Sequence, residues 1–345
     1  MKIAVVCPYS IDCPGGVQSQ AIGLVEGIRA AGHEAWLVAP GRTGPSEMRS
    51  LGRSVNVSVN GSVAPVALHP ATIRRVRRAV EDADVIHVHE PLVAPTSPAA
   101  FWGAGPPAIG TFHAEPSART RRLYRLAGPG LKRVLAKLAA VTAVSREAGS
   151  AVDHLVDGLI IIPNAIDTRA FSLDVERRPG RVVFLGRDEP RKGLDVLLAS
   201  WPLVRAAVPE AELVVLGAYR DVFLEGVRYA GRSVEIEKRR QLAEATVFCA
   251  PNLGGESFGI ALVEAMAAGC APVVSDLPAF RSVAGEIAAY VPVGDSQRLA
   301  KQIVALLLDR RGTQARGRAA VEAAAIYDWK RVLPGYLDIY ARLAR

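Results

Sequence analysis

One pattern governs the first half of the chain: a short apolar run, a turn, then a segment of helical period. Lys2–Cys7 reads as a buried strand, closed by the turn Pro14-Gly15-Gly16. A helix follows from Gln18 to Ala31, with Ile22, Val25 and Ile28 along one face. Gly32 stops that helix, and Glu34–Ala39 is the next strand; Val85–Val88, Ala108–Thr111 and Ala140–Val144 continue the series. Strands that alternate with helices pair in parallel, because each helix carries the chain back to the starting edge. The pattern then restarts. Ile160–Pro163 closes the first set, and the polar, strand-free stretch Thr168–Pro179 suits a linker. Arg181–Leu185 opens a second set, followed by a helix over Gly193–Ala207 and by Glu212–Leu216, Thr246–Ala250 and Ala271–Ser275. The sequence thus predicts an α/β chain of two Rossmann-like, doubly wound domains, residues 1–169 and 170–328, with an interdomain cleft. Trp329–Leu343 reads as an amphipathic helix, bearing Leu333, Leu337, Tyr340 and Leu343, that crosses back to the first domain.

Composition agrees with that division. The 345 residues are long for one core, and half of them are apolar. No stretch reads as a membrane span: the longest uncharged run, Pro91–Ala114, is broken by five prolines. Cys7, Cys13, Cys249 and Cys270 are too few for a disulfide framework and lack zinc-site spacing, so reduced thiols in a cytoplasmic protein are expected, with no metal site. The net charge of +8 points to an anionic partner without choosing among nucleic acid, lipid and phosphorylated substrate.

The second half carries the sharpest chemical signal. Its first strand runs into Gly186 and Arg187, and Arg191-Lys192-Gly193 opens the following helix. Such a turn presents free N–H groups and the positive end of a helix dipole, which suits a diphosphate. Arg187 and Lys192 add two full charges. Further on, Gly254-Gly255-Glu256-Ser257-Phe258-Gly259-Ile260 leads to Glu264, eight positions after Glu256. Glycines before a helix let backbone approach a ligand. Glu256 then stands at the helix mouth within reach of sugar hydroxyls, and Glu264 suits ribose hydroxyls. Read on spacing alone, a basic solvated face and a capping glutamate account for the same residues.

These residues resemble the family 4 glycosyltransferases, which have the GT-B fold. Glu256 to Glu264 matches their Glu-x7-Glu motif, and Gly186-Arg187 with Arg191-Lys192-Gly193 is similar to their diphosphate grip. Pro8-Tyr9-Ser10, Pro14–Gln18, Asn60–Ala64, His87–Pro91, Thr111-Phe112-His113 and Gly254–Gly269 resemble one group of that family, the actinobacterial phosphatidylinositol α-mannosyltransferases. The likeness spans nearly the whole chain, to Tyr327-Asp328-Trp329. It implies a retaining, metal-independent hexosyl transfer with GDP-mannose as the donor and phosphatidylinositol as the acceptor. Arg187 and Lys192 would hold the diphosphate with the Gly16 backbone. Glu256, with Phe258, Gly259 and Ile260, would hold the sugar, and Glu264 the ribose. Glu235 and Lys238 fall near the base, and His113 beside the sugar. Tyr9, Asp12, Gln18 and Asn60 would line the acceptor pocket. His113→Ala is expected to lose most turnover in a folded protein.

Arg74, Arg75, Arg77 and Arg78 span about 160° of a helix over Thr72–Asp82. Ile73, Val76 and Val80 are expected on the opposite side, facing the core. Each cation beside an anionic surface contributes about 1 kcal/mol. That predicts reversible attachment to the inner face of the cell membrane, as the family resemblance also implies. One departure stands out: Pro65 occupies the place where the family has an arginine toward the acceptor phosphate. Seven basic residues and no acidic one lie between Arg119 and Lys137. Arg119, Arg121 or Arg122 is expected to supply the missing contact. A soluble family 4 transferase with another donor or a phosphorylated polyol, a GT-B-like nucleotide-sugar epimerase, and a basic nucleic-acid-binding module are the alternatives. The last predicts aromatics among the cations, and Thr72–Asp82 has none.

Overall fold

The computed structural model describes the chain apart from residues 43, 45, 46, 60, 61, 104, 232, 233 and 345 and the side chains of residues 58, 59 and 62–64. The chain divides into two compact units, Met1–Ala165 with Trp329–Arg345, and Ile166–Asp328. The first crossing comes at Ala165, ahead of the break expected after residue 169. Thr168–Phe171, read from its polarity as linker, is a 3-10 turn of the second unit. Its one large apolar residue decides this: Phe171 is buried beneath the cations of Lys238 and Arg239.

In the first unit the strands are β1 (Lys2–Val6), β2 (Glu34–Ala39), β3 (Arg49–Ser50), β4 (Val55–Val59), β5 (Ser62–Val66), β6 (Val85–His89), β7 (Ala108–Phe112), β8 (Ala140–Ala143) and β9 (Ile160–Ile161). Seven form one sheet in the order β3-β2-β1-β6-β7-β8-β9, each neighbouring pair parallel. β4 and β5 make a separate antiparallel hairpin. Ile3, Ala4, Val5 and Val6 are fully buried because helices cover both faces of a parallel sheet. The strand order reverses between β1 and β6. Connections there leave in opposite directions, which opens a crevice at the carboxyl ends of those strands.

The second unit repeats the design with β10 (Arg181–Leu185), β11 (Glu212–Leu216), β12 (Val227–Gly231), β13 (Val247–Ala250), β14 (Ala271–Ser275) and β15 (Ala289–Val291). Their order is β12-β11-β10-β13-β14-β15, again parallel throughout, with its reversal between β10 and β13.

The helix Trp329–Leu343 belongs to the first unit, as its amphipathic pattern implied. It buries Val332, Leu333, Tyr336, Ile339 and Tyr340, while Leu337 and Leu343 are only partly covered. Two glycines of the helix Gly16–Ala30 make room for it. A Cβ on Gly23 would lie 2.7 Å from the Trp329 ring. The basic helix Ala71–Val80 buries Thr72, Val76, Ala79 and Val80. Ile73 does not join them; it sits at the margin of the buried stripe and is 40 % exposed.

Candidate active site

In the second unit the site grows from the end of β10. The chain leaves through Gly186 and Arg187, makes a short turn at Pro190–Lys192, and enters the helix Leu194–Ala207 at Gly193. Gly193 has φ +69°, and a Cβ there would come within 1.9 Å of the Pro251 carbonyl oxygen. Only glycine permits this approach. It brings the loop after β10 against the loop after β13, where the Leu253 N–H donates to the Arg191 carbonyl at 2.8 Å.

The charged groups meet as a result. Lys192 Nζ lies 2.6 Å from Glu256 Oε2, which also accepts from the Asn252 amide at 2.7 Å. Arg191 donates to the Gly255 carbonyl at 3.0 Å and pairs with Glu189 at 2.8 Å; Arg187 pairs with Glu189 at 3.0 Å. Burial pushes the Glu256 carboxyl up, but Lys192, Arg191 and Asn252 outweigh it and hold the group below the usual carboxylate range. Gly259, at φ +96°, precedes the helix Ile260–Ala267, whose first turn has no acidic residue. The Leu262 N–H already donates to the Gly259 carbonyl at 2.9 Å, and the N–H groups ahead of it are those a helix start can offer an anion or a hydroxyl oxygen.

Glu264 lies on that helix with Lys238 Nζ 2.7 Å away, and Lys238 also reaches Glu235 at 3.0 Å. Burial raises the Glu264 carboxyl while Lys238 opposes it. Burial also works against the Lys238 charge, yet Glu264 and Glu235 outweigh it and raise the ammonium above its ordinary value. The structure therefore gathers Lys192 with Glu256, and Glu235 with Lys238 and Glu264. Arg187 joins the first group through Glu189 and Arg191, its own side chain half exposed. Phe258 is buried against Tyr327.

The first unit uses different chemistry at the corresponding place. His87 and His89 end β6, Glu90 follows them, and His113 follows β7; all four are buried. His87 and His89 stack with ring centroids 4.7 Å apart. His87 is fixed by the Tyr340 hydroxyl at 2.5 Å and the Thr111 hydroxyl at 2.7 Å. His89 Nδ1 lies 2.7 Å from His113 Nε2. Glu90 adopts φ +49°, uncommon for a residue with a side chain, and its Oε1 accepts from the backbone N–H groups of His113 and Ala114 at 2.9 and 2.8 Å. Burial removes charge here. It pulls His87 down to about 3 and His113 to about 4, lowers His89 well below its ordinary value, and lifts Glu90 to about 7.

Tyr9 follows β1 and bridges to Val66 of β5, while the Ser10 N–H donates to the Pro65 carbonyl at 2.8 Å. Pro65 therefore stands beside the Tyr9 loop. Burial and the nearby Glu90 raise the phenols of Tyr9 and Tyr124. Gln18 directs its amide nitrogen to the carbonyls of Ser10 and Cys13, so it braces this loop from within. Asp12 accepts from the Arg42 N–H at 3.0 Å. Gly16 opens the helix Gly16–Ala30, whose first turn also lacks an acidic residue. Arg119 is exposed near the start of the helix Ala118–Leu126. Asn60 lies outside the described residues.

Sequence reasoning passed over His87, His89, Glu90 and Asn252 as site residues. The first three stood in a quoted motif, His87–Pro91, whose position at the end of β6 beside the order reversal was the available signal. Asn252 carried none. Among the described residues, no group of three or more His, Cys, Asp or Glu side chains could hold a metal ion.

Two family models match the chain: Glycosyltransferase Family 4 over residues 14–170 and Glycosyl transferases group 1 over residues 179–309. A phosphatidyl-myo-inositol mannosyltransferase of Mycolicibacterium smegmatis is 38% identical, over 99% of this chain and 93% of its own. A GDP-mannose:cellobiosyl-diphosphopolyprenol alpha-mannosyltransferase of Xanthomonas oryzae is 30% identical, over 76% of this chain and 75% of its own. Among solved structures, Anabaena HepE in complex with UDP and glucose superposes with a TM-score of 0.79 at 16% identity, covering 99% of this chain and 100% of that one. That likeness is one of fold, the GT-B fold of two parallel-sheet units.

Proposed function

Since the chain belongs to the family 4 glycosyltransferases, we propose that it transfers mannose from GDP-mannose to phosphatidylinositol with retention of anomeric configuration. The observation that carries the reading is the Lys192–Glu256–Asn252 cluster beside a helix N-terminus at the β10/β13 reversal. Arg187 and Lys192 bind the donor diphosphate. The backbone N–H groups of Phe258, Gly259 and Ile260, with Glu256, bind the sugar. Glu264 takes the ribose hydroxyls, and Glu235 with Lys238 flank the base. The leaving group is a nucleoside diphosphate, so preorganised cations and N–H dipoles stabilise the charge that develops on it. Side-chain cations take the place of a divalent metal in this scheme. The acceptor hydroxyl attacks from the face the diphosphate leaves, and a diphosphate oxygen takes its proton. His113 orients the sugar, while Tyr9, Asp12, Gln18, Asn60 and Arg119 serve the acceptor.

The acceptor is a lipid, and the protein meets it as a peripheral protein at the inner face of the cell membrane. No described helix is long and apolar enough to cross a bilayer. Two exposed basic helices support the docking. On Ala71–Val80, Arg75 and Arg77 donate to the Leu51 and Trp102 carbonyls, while Arg74 and Arg78 have no hydrogen bond or ion pair among the described residues. On Ala118–Leu126, Arg119, Arg122, Leu123 and Leu126 share one face by helical spacing. Leu123 and Leu126 are 59 % and 76 % exposed, an arrangement suited to a headgroup boundary.

Incubation with GDP-mannose and with UDP-sugars, with and without phosphatidylinositol vesicles, tests the reading by product mass. Mannosylated phosphatidylinositol from GDP-mannose alone is expected. Transfer only to a soluble polyol phosphate, or release of an epimerised sugar without an acceptor, would refute it.

A further inference from the structure

His113 and His89 share one hydrogen bond between ring nitrogens, and such a bond holds one proton. Which ring donates is decided on the far side of His89. There Nε2 is buried and has no hydrogen-bond partner among the described residues. Buried N–H groups are almost never left orphaned, whereas unused acceptor lone pairs are tolerated more often. Neutral His89 therefore keeps its proton on Nδ1, the atom 2.7 Å from His113 Nε2. His113 Nε2 must accept, and the proton of neutral His113 resides on Nδ1; the Asn164 side chain hydrogen-bonds the same ring.

We propose that His89 is a positioning residue that fixes the tautomer of His113 as Nδ1–H, so that His113 cannot act as a general base. The lone pair a base would need is already engaged by His89. This rests on the transferase reading above and deepens it: the proton of the acceptor hydroxyl must go elsewhere, which agrees with a diphosphate oxygen receiving it. Packing holds the donor ring in place. His89 stacks on His87 with an interplanar angle of 11°, and His87 is tied to Tyr340 and Thr111. The titratable groups around the pair are His87 on the same strand, Glu90 after it, and Tyr340 and Tyr336 from the last helix through His87. Glu90 engages the backbone N–H of His113 and not its ring. Burial keeps both rings neutral near pH 7, His113 down to about 4.

The test is imidazole NMR on histidine-labelled full-length protein, with the six histidines assigned by single substitution. The expected spectrum shows both His89 and His113 protonated on Nδ1. A wild-type His113 protonated on Nε2 overturns the proposal, and this readout needs no substrate. Loss of the transferase reading would instead show as no sugar transfer at all, leaving the spectrum unchanged. His89→Phe keeps the stack and removes the donor. It should shift His113 toward Nε2–H and lower kcat about tenfold with the donor KM changed less than twofold. His89→Gln, whose amide can donate to the same nitrogen, should recover most of both. If His89→Phe fails to fold, the wild-type spectrum and His89→Gln still decide. An unchanged kcat in a folded His89→Phe protein overturns the positioning role.

Discussion

The two units place their chemistry at the same point of the same fold, yet they handle charge in opposite ways. Beside the β10/β13 reversal every ionised group has a counter-ion, as in Lys192 with Glu256 and Lys238 with Glu264. Beside the β1/β6 reversal no described residue supplies a counter-ion, and burial holds three imidazoles neutral and lifts Glu90 toward neutrality. Under the proposed function, the difference suits the ligand each side would meet. A diphosphate needs fixed full charges whose pairing can be exchanged for phosphate oxygens. A sugar hydroxyl needs neutral donors and acceptors in fixed orientation. Fold position therefore determines where a site lies, and side-chain pairing determines what it binds.

Charge removal should have opposite signs on the two sides. The largest effect is expected for Lys192→Ala, which leaves Glu256 buried without its cation. Stability should fall by about 3 kcal/mol, read by denaturant unfolding, and turnover by roughly 10²–10³-fold. A variant of unchanged stability would show that the pair is solvent-screened and that the contrast fails.

Glu90→Gln should instead stabilise the protein at high pH. The Glu90 carboxyl titrates near 4.5 when unfolded and about 7 when folded. The unfolded state therefore loses its proton first, and wild type loses stability as pH rises from 4.5 through 7. The glutamine still accepts from the two N–H groups and cannot ionise, so it should be the more stable protein at pH 8, by on the order of 2 kcal/mol. Melting temperatures of both proteins at pH 5 and pH 8 give the comparison; a pH-independent difference would exclude a buried neutral carboxyl. The histidines act on the other side. Their folded values of about 3 and 4 for His87 and His113 lie below the unfolded 6.5, so acidification below pH 6.5 should destabilise both proteins.

The smallest effect concerns the exposed helix after His113. Replacing Arg119, Arg121 and Arg122 together by alanine should weaken binding to phosphatidylinositol vesicles roughly tenfold at low salt and less at high salt. Arg121 contributes least, because it already pairs with Glu115. Vesicle binding and lipid mannosylation equal to wild type would remove this helix from the acceptor side.

Much of this was legible in the chain. β2, β10, β11 and β14 end where their apolar runs end, and the last helix occupies Trp329–Leu343 as its period implied. Buried parallel strands must be apolar throughout, so they announce themselves. The short edge strands β3, β12 and β15 and the β4–β5 hairpin do not, because half-covered backbone imposes little on side chains. Glu256, Glu264, Arg187 and Lys192 could be named as candidates because a motif of fixed spacing lies within one loop and helix or one turn. The partners Lys238 to Glu264 and His89 to His113 come from separate strands and helices, and nothing in local spacing encodes such contacts; Asn252 lies four residues before Glu256 in the same loop, but no motif marks it.

By itself, then, the sequence determined the alternation of strands and helices, the restart that makes two units, and the residue types able to grip a sugar diphosphate. Periodicity and turn chemistry are local, so one dimension suffices to read them. The tertiary structure alone decided which charges are paired, which titratable groups lie dry, and which partners hold the His113 ring. Those properties depend on distances between segments far apart in the chain and on the water excluded between them.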